Sequence, residues 1–162
     1  MNGRVDRDIV ILYVVYATNE EDMGKRIDNT SCHCLKMRRS AENVIHFYDA
    51  VLMPCGLTAR QYSLLYAVHH NSGCNVRELS EAALLDRSTL ARSLKPLLQA
   101  EYIEDKKSAG ARDSVLVLSL KGERVYFQAR QLWNTAQKQF EAKIGKENVQ
   151  ALENLLLLLQ NL

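Results

Sequence analysis

The sequence predicts a mainly helical fold carrying one small β-hairpin, an α+β chain in which helices supply nearly all of the core. Three observations predict it. Only two prolines and seven glycines interrupt 162 residues, and apolar residues recur at spacings of three and four over long stretches. Short helices are opened in succession by side chains that cap a helix start. A strand-like run, Ser114 to Leu118, follows a polar tip and pairs in pattern with Tyr102 to Lys106.

The elements follow in order. From Thr30 to Met53 the apolar positions Leu35, Ala41, Ile45, Tyr48 and Leu52 predict a first helix, stopped at Pro54-Cys55-Gly56. Thr58 with Gln61 forms a capping-box pattern ahead of Tyr62, Leu65, Tyr66 and Val68, so a second helix runs to Asn71-Ser72-Gly73. His69 and His70 close it as surface or cap residues. Asn75 with Glu78 opens a short third helix through Leu79, Ala82 and Ala83, and Asp86 caps a fourth ending near Ala100. The hairpin comes next, its tip spanning residues 107–113. After Gly122 a long helix carries Val125, Ala129, Leu132, Trp133, Ala136 and Phe140 to Gly145, and a last one carries Val149, Leu152, Leu155, Leu156, Leu159 and Leu162.

The first residues differ from the rest. Residues 1–28 read as an N-terminal arm, either disordered or the product of a start upstream of the true one at Met23, with a genuine extra element as the rival. Its apolar run Ile9 to Ala17 is nine residues, against about 20 needed to cross a bilayer. Asp6 and Asp8 spoil the positive flank of a secretory signal. Four cysteines, unevenly placed, make no disulfide framework, so a reducing cytoplasm is expected.

A net charge of +2 from 21 basic and 19 acidic residues decides nothing about polyanions, so local charge must carry that case. On the fourth helix, at about 100° per residue, Leu90, Leu94, Leu97 and Leu98 share one face and Ser88, Arg92, Lys95 and Gln99 the other. One face packs and the other is polar and basic. Two short helices followed by a hairpin make a winged helix-turn-helix, whose second helix enters the major groove. Arg92 stands where a guanidinium reaches a guanine edge; Ser88 and Thr89 stand at the helix start, where hydroxyl and N–H groups reach phosphate. Arg87, Ser93 and Lys95 complete that surface, and Lys106, Lys107 and Arg112 make a basic wing tip suited to the minor groove. Pro96 removes one helical hydrogen bond and predicts a bend.

At this point the sequence resembles the MarR family of bacterial regulators over roughly Cys32 to Leu162. Gly56-Leu57-Thr58 with Gln61, Glu78-Leu79-Ser80, Leu85-Asp86-Arg87-Ser88-Thr89-Leu90 and Leu118-Ser119-Leu120-Lys121-Gly122 carry the resemblance. It implies a DNA-binding transcriptional regulator, a repressor by expectation. Such a protein is a homodimer on an inverted repeat of double-stranded DNA and is released by a small-molecule or oxidant effector. Its division would be a dimerisation helix at 29–57, a winged helix-turn-helix at 58–122 and dimerisation helices at 123–162. The family's wing carries Asp-x-Arg, and here that triplet is Gly110-Ala111-Arg112. The Arg is kept and the Asp is gone, with Asp113 as a displaced substitute.

Cys32-His33-Cys34 opens the first helix, where the helix dipole favours a thiolate. The resemblance to the family's peroxide-sensing branch sets Cys34 as the sensor thiol and Tyr48 as its tyrosine, with a second expected tyrosine replaced by Ala59. The competing reading makes Cys34 a small apolar residue at a dimer seam. The same three residues lack zinc spacing, so no metal and no cofactor are expected. A ligand cleft around Arg38, His46 and Tyr62 is a further expectation. No P-loop, G-x-S-x-G or H-E-x-x-H motif is present, so the chain reads as no enzyme. The alternative function is a winged-helix dimerisation or protein-interaction module without DNA binding.

Overall fold

A computed structural model describes residues 32–160. The expected arm at 1–28 and the last leucine of the apolar pattern, Leu162, lie outside the described residues. Helix α1 (His33–Leu52) runs into a 3-10 turn (Met53–Cys55) that Gly56 closes with φ 65°. Helices α2 (Ala59–His70), α3 (Val76–Ala82) and α4 (Arg87–Gln99) follow, then strands β1 (Ile103–Asp105) and β2 (Leu116–Leu118), then α5 (Leu120–Ile144) and α6 (Lys146–Leu159).

The helix starts form where capping residues stand. Thr58 Oγ1 accepts from the Gln61 amide at 3.2 Å while Gln61 Oε1 accepts from the Thr58 amide at 2.9 Å. Asn75 and Glu78 close the same reciprocal pair at 2.9 Å in both directions. Each box satisfies two amides that the first turn leaves open. Two helix ends are less comfortable: Leu84 after α3 and Glu101 after α4 take φ of 52° and 59°. This left-handed backbone costs an ordinary L-residue about 1 kcal/mol, and glycine normally fills it.

The strands pair antiparallel, Ile103 with Leu118 and Asp105 with Leu116. Leu116 also bridges to Cys74, its amide donating to the Cys74 carbonyl at 2.9 Å, so the segment before α3 joins the hairpin as a third, minimal strand. The core lies here: Leu65, Val68, Leu79, Leu90, Leu97, Ile103, Leu116 and Tyr126 are almost wholly buried.

Two expectations are corrected. Helix α5 begins at Leu120, before Gly122, because Ser119 caps it through the Gly122 amide at 2.9 Å. Gly122 is needed for closeness: a Cβ there would lie 1.9 Å from the Tyr102 carbonyl oxygen. Leu98 leaves the packed face of α4 and is 37% exposed. In α1 only Tyr48, Val51 and Leu52 are buried, while Leu35 and Ile45 face outward, and α6 buries no residue within one chain.

Candidate nucleic-acid interface

Asp86 sets the start of α4. Its Oδ1 accepts from the Ser88 and Thr89 amides at 2.9 Å each and from the Ser88 hydroxyl at 2.6 Å. These bonds, the Ser88 hydroxyl first, hold the carboxyl well below the usual carboxylate range. The consequence corrects the sequence reading. The two amides expected to meet phosphate are engaged within the chain, and so is the single hydroxyl proton of Ser88.

Arg92 folds back along the helix, its Nε donating to the Ser88 carbonyl at 3.3 Å and its Nη2 to Thr89 Oγ1 at 3.4 Å. Arg87, Ser88, Arg92 and Lys95 are exposed, Thr89 and Ser93 half-buried, and Leu90, Leu94 and Leu97 buried beneath them. The polar face thus stands outward on a fixed apolar base, as the helical period predicts.

The wing departs further from expectation. Lys106 Nζ lies 3.7 Å from Glu104 Oε2, so the basic tip is partly neutralised. Lys107 and Arg112 are exposed. Gly110 adopts φ 83° in a turn closed by the Ala111 amide on the Ser108 carbonyl at 3.0 Å, which explains glycine where the resemblance expects Asp. Asp113 makes no hydrogen bond or ion pair among the described residues. Asp105 does the closing instead, its Oδ1 accepting from the Lys107 amide at 3.2 Å and the Val115 amide at 2.8 Å. Ser114 Oγ accepts from the Val76 amide at 3.1 Å and so ties the wing base to the first turn of α3. Sequence reading missed both. An Asp at the entry to a turn favours an Asx bond to the amide two residues on, but neither the bond across to Val115 nor the contact of Ser114 is signalled by spacing.

A cleft of about 870 Å³ lies between α1, α2, the end of α3 and α5. Val44, Tyr48, Tyr66 and Trp133 form its apolar walls, Asp49 and Arg60 supply charge, and Ala82, Ala83 and Leu85 form the side next to the helix-turn-helix. Arg38, His46 and Tyr62, the residues expected from sequence, are not among its lining. Tyr62 lies behind the wall, stacked on Trp133 at 4.6 Å, and burial pushes its phenol up to about 12. His69 is half-buried rather than a surface residue, its ring 4.5 Å from that of Tyr126.

The sensor candidates are separated. Cys34 is exposed at the start of α1, and Tyr48 follows 14 residues later, about 21 Å along the axis at 1.5 Å per residue. Tyr48 is buried and donates to Gln137 Oε1 at 2.5 Å; burial, and then the charge of Glu141, raise its phenol. One protomer therefore does not bring the two together. Among the described residues no group of three or more His, Cys, Asp or Glu could hold a metal ion, and no helix is long and apolar enough to cross a membrane.

Capped short helices, a polar face on the second of them, and a hairpin bound to the first define a winged helix-turn-helix protein. The family model described as MarR family matches residues 56–112. The HTH-type transcriptional regulator BilQ of Clostridium symbiosum (strain WAL-14163) is 30% identical over 96 residues, which are 59% of this chain and 66% of that protein. The transcriptional regulator MosR of M. tuberculosis, solved in complex with DNA, is 29% identical over 77% of this chain and 93% of its own, with a TM-score of 0.65. The repressor CouR bound to p-coumaroyl-CoA is similar in fold, with a TM-score of 0.72 over 80% of this chain and 91% of that one at 22% identity. The chain belongs to the MarR family.

Proposed function

We propose that this chain is a transcriptional regulator, by expectation a cytoplasmic repressor, that binds double-stranded DNA as a homodimer and works without enzymatic activity or cofactor. The observation that carries the reading is the pairing of two exposed basic elements on one buried frame. Arg92 and Lys95 stand on α4, Arg112 stands on the wing, and the Cys74–Leu116 bridge and Ser114 lock wing to helix-turn-helix. A module made only for protein contact has no need of that alignment. Arg92 would read a base edge, Arg112 the minor groove, and Arg87, Ser93, Thr89 and Lys95 the backbone.

Residues 29–57 and 123–162 would form the dimer and 58–122 the DNA-binding part. Leu155, Leu156 and Leu159 remain 57%, 49% and 39% exposed in one chain, more apolar surface than a soluble monomer keeps. The cleft would take a small apolar effector, because its wall at Ala83 and Leu85 leads directly into the cap of α4. Oxidation of Cys34 is the second route to release, and it would need the partner copy to complete a site with Tyr48.

Selection of duplexes from a random library at moderate salt tests the reading. An inverted repeat with half-sites about one helical turn apart is expected. Arg92→Ala should relax choice at one position per half-site at a cost of about 2 kcal/mol. No enriched motif would replace the regulator with the interaction module.

A further inference from the structure

The wing of this chain is held from its neck rather than its tip, and one carboxylate bridges the neck. β1 and β2 end at Asp105 and Leu116, and beyond them the Lys106 amide donates to the Val115 carbonyl at 2.8 Å. Asp105 Oδ1 then receives the Val115 amide from across the hairpin and the Lys107 amide from two residues on, at 2.8 and 3.2 Å. From Lys107 to Asp113 the only further tie among the described residues is the Ser108–Ala111 turn. Together with the Lys106–Val115 bond and the Ser114–Val76 bond, the Asp105 clamp bounds the segment from which Arg112 leaves the domain.

We propose that Asp105 is the positioning residue for Arg112 in duplex binding; this rests on the DNA-binding reading above. Without the clamp, the strands part below the tip and Arg112 samples directions that miss the groove, so ordering it on binding carries an entropic cost. The carboxylate acts here as an acceptor and not as a charge. An amide oxygen in its place can accept the same two N–H groups.

The test measures affinity for the selected duplex with the full chain carrying Asp105→Ala, Asp105→Asn, Arg112→Ala and the double change Asp105→Ala with Arg112→Ala. Asp105→Ala should weaken binding about five- to tenfold, the scale of one lost hydrogen-bond clamp. Asp105→Asn should bind at least as well as wild type, having kept the acceptor and removed a negative charge near phosphate. The double variant should bind no worse than Arg112→Ala alone, because the clamp has no use without the residue it aims. In the free protein, amide exchange at Val115 and Lys107 should rise in Asp105→Ala and not in Asp105→Asn. Additive losses in the double variant, or loss in Asp105→Asn equal to that in Asp105→Ala, overturn the positioning role while leaving DNA binding intact. A wild-type chain that selects no duplex overturns the regulator reading and this inference with it.

Discussion

The middle of the chain and its two ends obey opposite rules. Between Leu57 and Tyr126 helix starts are capped, most large apolar side chains are buried and the hairpin is tied to its neighbours at several points. Between His33 and Ile45 of α1 and throughout α6, side chains as large as Leu35, Ile45, Leu155 and Leu158 stand in solvent. Both regions are built mainly of regular helix, so helical hydrogen bonding does not distinguish them. What differs is where the apolar face finds cover: within the chain for the middle, and outside it for the ends. The two regions should therefore fail independently.

The largest expected effect breaks the middle. Gly122→Ala places a methyl group 1.9 Å from the Tyr102 carbonyl, and backbone on both sides must move. A loss of about 3 kcal/mol is expected in urea unfolding, the upper end for overpacking. An unchanged midpoint would mean that α5 and the turn between α4 and β1 are not rigidly docked.

Next comes the break at the ends. Leu155→Glu with Leu159→Glu should leave the fold of the middle intact by circular dichroism while light scattering falls from twice 18.4 kDa to that mass. Affinity for an inverted-repeat duplex should fall about a hundredfold, since the second half-site is no longer held at high local concentration. A dimer that survives both changes would move the interface elsewhere.

A smaller effect sharpens the comparison at the cap of α4. Asp86→Asn removes a carboxylate whose folded-state pKa is depressed by the Ser88 and Thr89 bonds. A depressed carboxylate contributes stability that is full above its unfolded pKa of about 3.9 and declines as pH falls below it. Wild type should therefore be the more stable at pH 7, with the gap closing as pH drops below about 4. A gap independent of pH would assign the effect to shape and not to charge.

The smallest effect is a gain. Leu84 holds φ 52° and is 92% exposed, so its side chain packs on nothing that its loss would empty. Leu84→Gly should relieve the left-handed strain, offset in part by the freer unfolded chain, for a net gain of about 0.5 kcal/mol. A loss in the same unfolding assay would show that the exposed leucine has a contact in the dimer.

The helices of the middle were readable because their signals are local. Thr58 with Gln61, Asn75 with Glu78, and Asp86 with Ser88 and Thr89 act over two or three residues, and each stands in the structure as its spacing predicts. The buried face of α4 was readable up to Leu97, and the period failed only at Leu98, one residue from the helix end. The cleft was not readable: Arg38 and His46 share a helix with Val44 and Tyr48, yet only the latter two line it. Which side of α1 faces α2 and α5 depends on how three helices pack, and no spacing within α1 reports that.

By itself, then, the sequence determined the order of elements, the starts of α2, α3 and α4, the polar face of α4 and the family, because hydrogen bonds and helical periods act between near neighbours. Tertiary structure decided the rest. Gly122 meets Tyr102 from 20 positions away, Asp105 closes on Val115 across ten, and Ser114 reaches Val76 across 38. Such contacts arise only when separate elements pack against one another. Their partners are set by the summed fit of the core, so an Asp that braces the wing and an Asp that faces water look alike until the chain has folded.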